Sequence, residues 1–359
     1  MTSTTRKQNQ NQKQNQNQKQ NRNQKQNRNR NRNRDHNRNR SARGGLLWLV
    51  LRQQRLALAA FALAATGIVL YAVMGRSATL DAIAHLRLPL CPEGEGCQVP
   101  PEFSTDHVLP LRGLLSLLTL LPAALGLFLG GPLFAQELES GTYRTVLSQS
   151  VTRGRWFLAK VSLPLVLAVT VSAAASWAAT SWWSTVAGRL GIYFDWSSWM
   201  PYDAIGPAPV ARSVLMVSIG IVFGLLLRRT VTAMGATVVT AGALLVALER
   251  YRGALRPTVT DNLPITDPLS LPGGAWVQSR GLLTNTGAPA QELPECTVSG
   301  GFTGDHFACL RDHGITRQWV SYHPTSHLWP IQYTESAICL GLSLLVLAGA
   351  WWWTRKRMS

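Results

Sequence analysis

The sequence lacks the short motifs that mark the commonest nucleotide and metalloprotease sites. The dipeptide Gly-Lys does not occur among its 359 residues, which excludes the phosphate-binding loop Gly-x-x-x-x-Gly-Lys-Ser/Thr. The pattern His-Glu-x-x-His is also missing, which excludes the zinc-protease helix built on it. We therefore expect no catalytic residue and no cofactor in this chain. If ATP drives its activity, a separate subunit must bind the ATP.

Charged residues and histidine are missing from the middle of six long apolar runs. A helix needs about 20 mostly apolar residues to cross a hydrocarbon core of about 30 Å. The runs that reach this length cover residues 56–74, 111–134, 161–187, 210–227, 231–248 and 336–353. Only Arg228-Arg229-Thr230 separates the fourth run from the fifth, and one helix through both would be too long to span once, so we predict a tight hairpin. The sequence predicts an all-α integral membrane protein with six transmembrane helices.

The uncharged middles of these runs also limit the mode of transport. Ion-coupled carriers usually keep an ionisable residue inside the membrane, so these runs argue against secondary active transport. The third run is the richest in hydroxyl residues, among them Ser172 and Ser176. Such residues favour close helix packing, with a path for a polar substrate as the alternative.

Acidic and apolar residues are nearly absent from residues 1–44. Thirteen Lys or Arg fall in the first 43 residues, against one acid, Asp35. With almost nothing apolar to bury, this polybasic Asn/Gln/Arg tail is predicted to be disordered. It is either a solvated tail or an arm for anionic lipid headgroups or RNA. No aromatic residue interleaves its charges, so we predict no specific nucleic-acid partner.

Residues 46–55 are apolar first and basic afterwards, with Trp48 before Arg52 and Arg55. This order favours a helix lying in the membrane interface, with the arginines at the headgroups. The alternative is that the segment begins the first spanning helix.

Cysteines are few, and four of the five lie in polar connections. Cys91 and Cys97 share one connection, Cys296 and Cys309 share another, and Cys339 lies alone in an apolar run. Two local pairs predict two disulfides if both connections face an oxidising compartment; the alternative is four unrelated thiols. No metal site is predicted, because Pro324 opposes the helix that would align His323 with His327.

Basic residues are concentrated in alternate connections. Residues 135–160, the 228–230 turn and the end of the chain are basic, whereas residues 75–110 carry two Arg beside five acids and 188–209 carry only Arg189. The positive-inside rule then places both termini in the cytoplasm of a plasma-membrane protein and both cysteine pairs outside. The long extracytoplasmic loop before the last helix, 249–335, is rich in Pro, Gly and Thr, and we assign it no fold.

The connection 135–160 is the most informative polar segment of the chain. Tyr143, Val146 and Leu147 share one face of a predicted short helix that could dock in a groove of a soluble partner. A solvated loop that packs on lipid is the alternative.

Three segments resemble ABC-2-type transporter permeases, especially actinobacterial ones. Glu137-x-x-x-Gly141-Thr142, with Leu147 to Arg153, Trp156 and Ala159-Lys160 after it, resembles their cytoplasmic loop. Residues 46–55 resemble their N-terminal elbow helix. Tyr322-x-Pro324, Trp329-Pro330-x-Gln332-x-x-Glu335 and the basic end resemble their C-terminal signature. The resemblance covers residues 46 to 357, within a predicted permease domain of 45–357, and leaves out the tail.

The resemblance implies the permease subunit of an ABC exporter for a small or amphipathic compound. Two copies, or this chain and a related permease, would form the path, and separate ATPase subunits would bind ATP-Mg. The resemblance also implies that the 135–160 loop couples nucleotide-driven motion to the spans. The residues that it implies for the contact are Glu137, Glu139, Gly141, Thr142, Tyr143 and Arg144. Of these, Glu137 and Arg144 are candidates for salt bridges to the ATPase. The alternative function is a non-transporting membrane scaffold or sensor that uses the 249–335 loop.

Overall fold

The computed structural model describes residues 55–56, 58–90, 99–141, 153–190, 195–265, 271–291, 293, 296 and 304–357. Within them, six helices have the length and apolar composition to cross a membrane, which confirms the predicted number of spans. These are α1 (Leu58–Leu86), α2 (Pro101–Ser140), α3 (Arg153–Val186), α5 (Ala208–Leu227), α6 (Thr230–Tyr251) and α8 (Leu328–Arg357). Two short helices are α4 (Trp199–Ala204) and α7 (Gly304–Asp312).

Most of the spanning helices extend beyond the apolar runs that predicted them. α1 continues to Leu86 rather than ending near residue 74, and α8 begins at Leu328 rather than near residue 336. Hydropathy marks only the part of a helix that lies in hydrocarbon, whereas the backbone hydrogen bonds continue into polar sequence. The 46–54 part of the predicted interfacial helix and the 1–44 tail lie outside the described residues.

α5 packs against α2 through glycines on both helices. Gly126 and Gly130 of α2 are four residues apart, as are Gly220 and Gly224 of α5. A Cβ atom added at Gly130 would lie 2.5 Å from the Val217 carbonyl oxygen, and one added at Gly220 would lie 2.5 Å from that of Gly126. Glycines at this spacing let two membrane helices approach to backbone contact. Gly126–Gly130 is also a π-helical segment within α2.

Burial differs strongly among the spanning helices. The most apolar part of α5 is 61% buried, against 6% for α1 and 17% for α6. α5 is therefore the central helix of the bundle. α1 and α6 present exposed large apolar side chains such as Leu63, Leu70 and Val239, which suits contact with lipid.

The prediction of an all-α chain is wrong, because part of the 249–335 segment forms an antiparallel sheet. Its strands are β1 (Val259–Pro264), β2 (Trp276–Thr284), β3 (Pro289–Ala290) and β4 (Ile315–His323), in the order β1-β4-β2-β3. Aromatic and β-branched residues recur in these strands, as in β4 with Ile315, Trp319 and Val320. The Pro and Gly residues that obscured this pattern lie largely between the strands.

A small apolar cluster beside the sheet contains Ile265, Leu310 and Ile315. The same cluster contains Cys296, which forms a disulfide with Cys309; their Cα atoms are 5.6 Å apart. Cys339 is a buried free thiol. Cys91 and Cys97 lie outside the described residues.

The bundle has two ends that differ in character. The sheet end holds the start of α5, the end of α6, the start of α8 and the sheet. The basic end holds the end of α2, the start of α3, the α5–α6 turn and the end of α8, with exposed cations at Arg155, Arg228, Arg229, Arg355 and Lys356.

Candidate functional site

Glu137 lies in the last turns of α2 and is turned into the protein. Its side chain is largely buried, and its Oε2 lies 2.6 Å from Nζ of Lys160 on α3. The Lys160 ammonium also lies 5.0 Å from the ring centre of Phe134 and 5.4 Å from that of Trp156. This ion pair sits among aromatic rings at the basic end. The Glu137 carboxylate is thus paired within the chain, and its predicted salt bridge to the ATPase stays a prediction.

Glu139 connects the same end of α2 to the start of α6. Its Oε2 accepts hydrogen bonds from the backbone N–H of Thr230, at 2.9 Å, and from the Thr230 hydroxyl, at 2.8 Å. A carboxylate at a helix N-terminus satisfies a free backbone donor and interacts favourably with the helix dipole. Two residues in the last turn of α2 thus hold one neighbouring helix each.

Gly141 ends α2 in a left-handed conformation, with φ of 73°. Glycine adopts this conformation without steric cost, and it commonly terminates helices in this way. Thr142, Tyr143 and Arg144 lie outside the described residues, so the predicted short amphipathic helix stays a prediction. The structure brings together Glu137, Glu139 and Gly141 as the fixed base of that loop.

A second charged cluster lies at the sheet end. Arg212 of α5 donates from Nη1 to Asp203 Oδ1 at 2.8 Å and from Nε to Glu335 Oε1 at 2.5 Å. Arg252 donates to the same Asp203 oxygen at 2.6 Å, and the Tyr202 hydroxyl donates to Glu335 Oε2 at 2.9 Å. Arg212 and Glu335 are each 1% exposed. Two arginines and two carboxylates balance in charge and join α4, α5, the end of α6 and α8.

Gln332 strengthens the contact between α8 and α4. Its amide donates to the carbonyl oxygens of Tyr202, at 3.3 Å, and Ile205, at 3.1 Å. Gly206 follows with φ of 70°, and a Cβ atom there would lie 2.0 Å from Gln332 Oε1. A glycine is needed at this position for both reasons.

The charged cluster was missed from the sequence because its members are far apart along the chain. Asp203 and Glu335 were assigned to polar connections, and Arg212 to the edge of a run. One signal was available in the sequence: Arg212 lies near the start of a spanning helix. An ionisable residue at such a position usually has a buried partner.

A family model described as ABC-2 membrane transporter related matches residues 58–252. The chain belongs to this family. The match includes Glu137, Lys160, Asp203, Arg212 and Arg252, and it ends before the sheet and α8. No curated protein matches the chain.

As an ABC-2 membrane transporter related protein, the chain is a multi-pass membrane component of transport rather than an enzyme. Proteins of this type act in general with an ABC ATPase. The two charged clusters lie at opposite ends of the bundle, and the glycine contact of α2 with α5 lies between them.

Two groups of side chains that contain histidine lie outside the spans. Nδ1 of His323 lies 3.1 Å from Nδ1 of His327, and Nε2 of His323 lies 3.1 Å from the Gly253 carbonyl oxygen. Burial lowers the pKa of His323, and the neighbouring His327 lowers it further. His313 lies close to Cys296 and Cys309, but both sulfurs are bonded to each other and are not thiolate ligands.

Proposed function

We propose that this chain is the membrane-spanning permease subunit of an ATP-binding cassette transporter that exports a small or amphipathic compound. Membership of the ABC-2 membrane transporter related family supports this proposal, as does the absence of a Gly-Lys phosphate loop from the sequence. ATP-Mg belongs to a separate ATPase subunit. Two copies of the chain, or the chain and a related permease, form the path.

The observation that carries the proposal is the bonding at the end of α2. Glu137 holds α3 through Lys160, and Glu139 holds α6 through Thr230. A partner that pushes on the residues after Gly141 would therefore move α2, α3 and α6 together rather than bend one helix. The ATPase contact itself is assigned to Thr142, Tyr143 and Arg144, while Glu137 and Glu139 act as positioning residues behind it.

The glycine contact extends this coupling to the centre of the bundle. The backbones of α2 and α5 are in direct contact near Gly130 and Gly220. A shift of α2 therefore moves α5 directly, because no flexible side chains lie between the two backbones to absorb it. α5 carries Arg212 at the sheet end, where the charged cluster joins it to α4 and α8. This route links the loop at one end of the bundle to the sheet at the other.

An apolar groove supports the assignment of an amphipathic cargo. It has a volume of about 570 Å³ and lies between α1 and α2, where Ile68, Tyr71, Leu114 and Leu117 are among its lining residues. Ligand sites of this size are usually lined by apolar and aromatic groups with few polar ones. We assign the basic end to the cytoplasm of a plasma-membrane protein, on the basis of its exposed arginines.

The test is capture of the ATPase. The tagged full-length chain is purified from membranes of its host, and copurifying ABC ATPase is quantified by mass spectrometry. We expect Tyr143→Ala and Arg144→Ala to reduce the captured ATPase at least tenfold. Tyr333→Ala, at an exposed tyrosine of the sheet end, is the matched control and should leave capture unchanged. Unchanged capture with both loop variants would refute the assigned contact.

The alternative, a scaffold or sensor, is favoured by one observation: the 249–335 segment contains a sheet and a disulfide. A sensor of this kind needs no ATPase. Absence of any ABC ATPase from the purified wild-type chain would favour this alternative over the permease.

A further inference from the structure

A groove at the basic end lies between α3 and α8 and takes no part in the proposed transport route. Its volume is about 580 Å³. The residues that line it are Arg153, Gly154, Arg155, Leu158, Trp351 and Arg355. None of these six carries a carboxylate, so three guanidinium groups give the groove one sign of charge.

Aromatic and aliphatic groups lie beside the guanidinium groups. The Arg355 guanidinium lies 4.7 Å from the ring centre of Trp351, a distance at which a cation is attracted to the ring face. Leu158 is 59% exposed and extends the groove towards the apolar surface of α3. A ligand that matches both features needs an anionic head and an apolar body.

Gly154 allows α3 and α8 to form the floor of the groove. A Cβ atom at this position would lie 3.2 Å from Nε1 of Trp351 and 3.8 Å from Cδ of Arg355. The glycine therefore lets the indole and the arginine stem lie directly against the α3 backbone. A larger side chain would displace the indole and the arginine stem that line the groove.

We propose that this groove binds the phosphate head group of an anionic phospholipid from the adjacent leaflet. Arg153, Arg155 and Arg355 surround the phosphate, and Leu158 contacts the first part of an acyl chain. Basic pockets between membrane helices at the cytoplasmic side are a recurring site for such lipids. The exposed Leu158 favours a lipid over a free phosphate compound, because a free phosphate gains nothing from an apolar wall.

The experiment measures lipid binding to the purified full-length chain. Dioleoyl phosphatidylglycerol, dioleoyl phosphatidylcholine and glycerol 1-phosphate are titrated separately, and bound copies are counted by native mass spectrometry. We expect phosphatidylglycerol to bind in preference to phosphatidylcholine. The double variant Arg155→Gln with Arg355→Gln should weaken phosphatidylglycerol binding by about twenty-fivefold, about fivefold for each arginine.

Two controls separate the groove from general surface charge. Arg228→Gln with Lys356→Gln removes the same charge at the same end, but neither residue lines the groove, and Lys356 instead lies over the ring of Trp352. This control should bind phosphatidylglycerol like the wild type. Gly154→Leu keeps every charge and fills the floor, and it should lose binding as well.

Three results would overturn the proposal. Equal loss in the groove variant and the charge control would show that only the general surface charge attracts the lipid. Equal binding of phosphatidylcholine would show that the site does not select an anion. Glycerol 1-phosphate binding as tightly as the lipid would assign the groove to a free phosphate compound. ATPase capture is measured on the same variants and should not change, so failure here is distinct from failure of the permease assignment.

Discussion

The Nζ atom of Lys160 on α3 lies 2.6 Å from Oε2 of Glu137 on α2, and both side chains are largely buried. The pair holds the two helices together at the base of the loop that we assign to the ATPase. Removing one partner from a buried ion pair leaves an uncompensated charge, whereas replacing both by apolar groups removes the charge altogether. Replacing both residues by apolar ones therefore removes the Glu137–Lys160 ion pair without leaving a buried charge that would unfold the chain.

We expect Glu137→Leu or Lys160→Met alone to destabilise the chain by about 3–5 kcal/mol, because each leaves a buried charge without its partner. The double variant should recover most of this stability. Thermal unfolding midpoints in detergent, read by size exclusion of a fluorescent fusion, provide the measurement. A double variant less stable than either single variant would contradict a paired role for the two residues.

The same double variant also tests coupling. It should fold and still capture the ATPase, because the proposed contact residues are unchanged. The ATPase rate of the captured complex, relative to the wild-type complex, should fall, since α2 and α3 no longer move as one. A wild-type rate in the folded double variant would show that the ion pair stabilises the helices without transmitting movement.

Arg212→Met should be among the most destabilising substitutions at the sheet end. It leaves the Glu335 carboxylate with Tyr202 as its remaining hydrogen-bond partner in the cluster, whereas Asp203 still has Arg252. We expect a loss of about 3–5 kcal/mol. Adding Glu335→Leu should restore part of it, giving a coupling energy above about 1 kcal/mol in a double-mutant cycle.

The control for this cycle is Arg317→Met, at an exposed arginine of β4. It should change the unfolding midpoint little, because exposed charges contribute at most about 1 kcal/mol. Strictly additive effects of Arg212→Met and Glu335→Leu would argue against a direct interaction between these side chains.

Two glycines of α2 offer a matched pair for the contact with α5. Gly130→Ala places a Cβ atom 2.5 Å from the Val217 carbonyl oxygen, whereas Gly113→Ala meets no atom within 4 Å. We expect Gly130→Ala to destabilise the chain by about 1–3 kcal/mol through overpacking. Gly113→Ala should be neutral or stabilising by up to about 1 kcal/mol, because alanine is the better helix former. Equal midpoints for the two variants would contradict the close approach of the helices.

The lowered pKa of His323 predicts that the folded chain loses stability in acid. Burial lowers its pKa in the folded chain below the ordinary value of 6.5, so the unfolded chain binds the proton more readily. Stability is therefore complete above about pH 6.5 and falls as the pH drops below that value. We expect the midpoint to fall between pH 7.5 and 5.5 and His323→Gln to reduce this dependence. His85→Gln, at an exposed histidine of α1, should leave the pH dependence of the midpoint unchanged. The same pH dependence in the wild type and both variants would refute the assignment of this effect to His323.

How much of this structure the sequence predicts depends on the range of the interaction involved. The six spans can be predicted from local hydropathy, because the length and apolar composition of each run are enough to recognise it. The ends of the helices cannot be predicted in this way. The first turns of α8, which carry Gln332 and Glu335, fall in the segment that the sequence analysis treats as a loop. Glu335 meets Arg212 only after α5 and α8 have packed, which no local pattern shows.

The candidate site divides in the same way. Gly141 ends α2, and this end is indicated locally, because a glycine followed by polar sequence commonly terminates a helix. The partners of Glu137 and Glu139 could not be predicted, because Lys160 and Thr230 come from two other helices. The sheet was missed for a related reason: β1 pairs with β4 across more than fifty intervening residues, with Val259 opposite Tyr322. The Pro and Gly residues around β2 and β4 also obscured the aromatic and β-branched residues of these strands.

The central claim is that a separate ATPase contacts the loop after α2, and crosslinking tests it most directly. A photoreactive amino acid replaces Tyr143 in one full-length variant and Tyr333, at the sheet end, in a matched variant. Both are illuminated in host membranes, and the adducts are identified by mass spectrometry. We predict an adduct with an ABC ATPase from position 143 and none from position 333. An ATPase adduct from position 333 but not from position 143 would contradict the account.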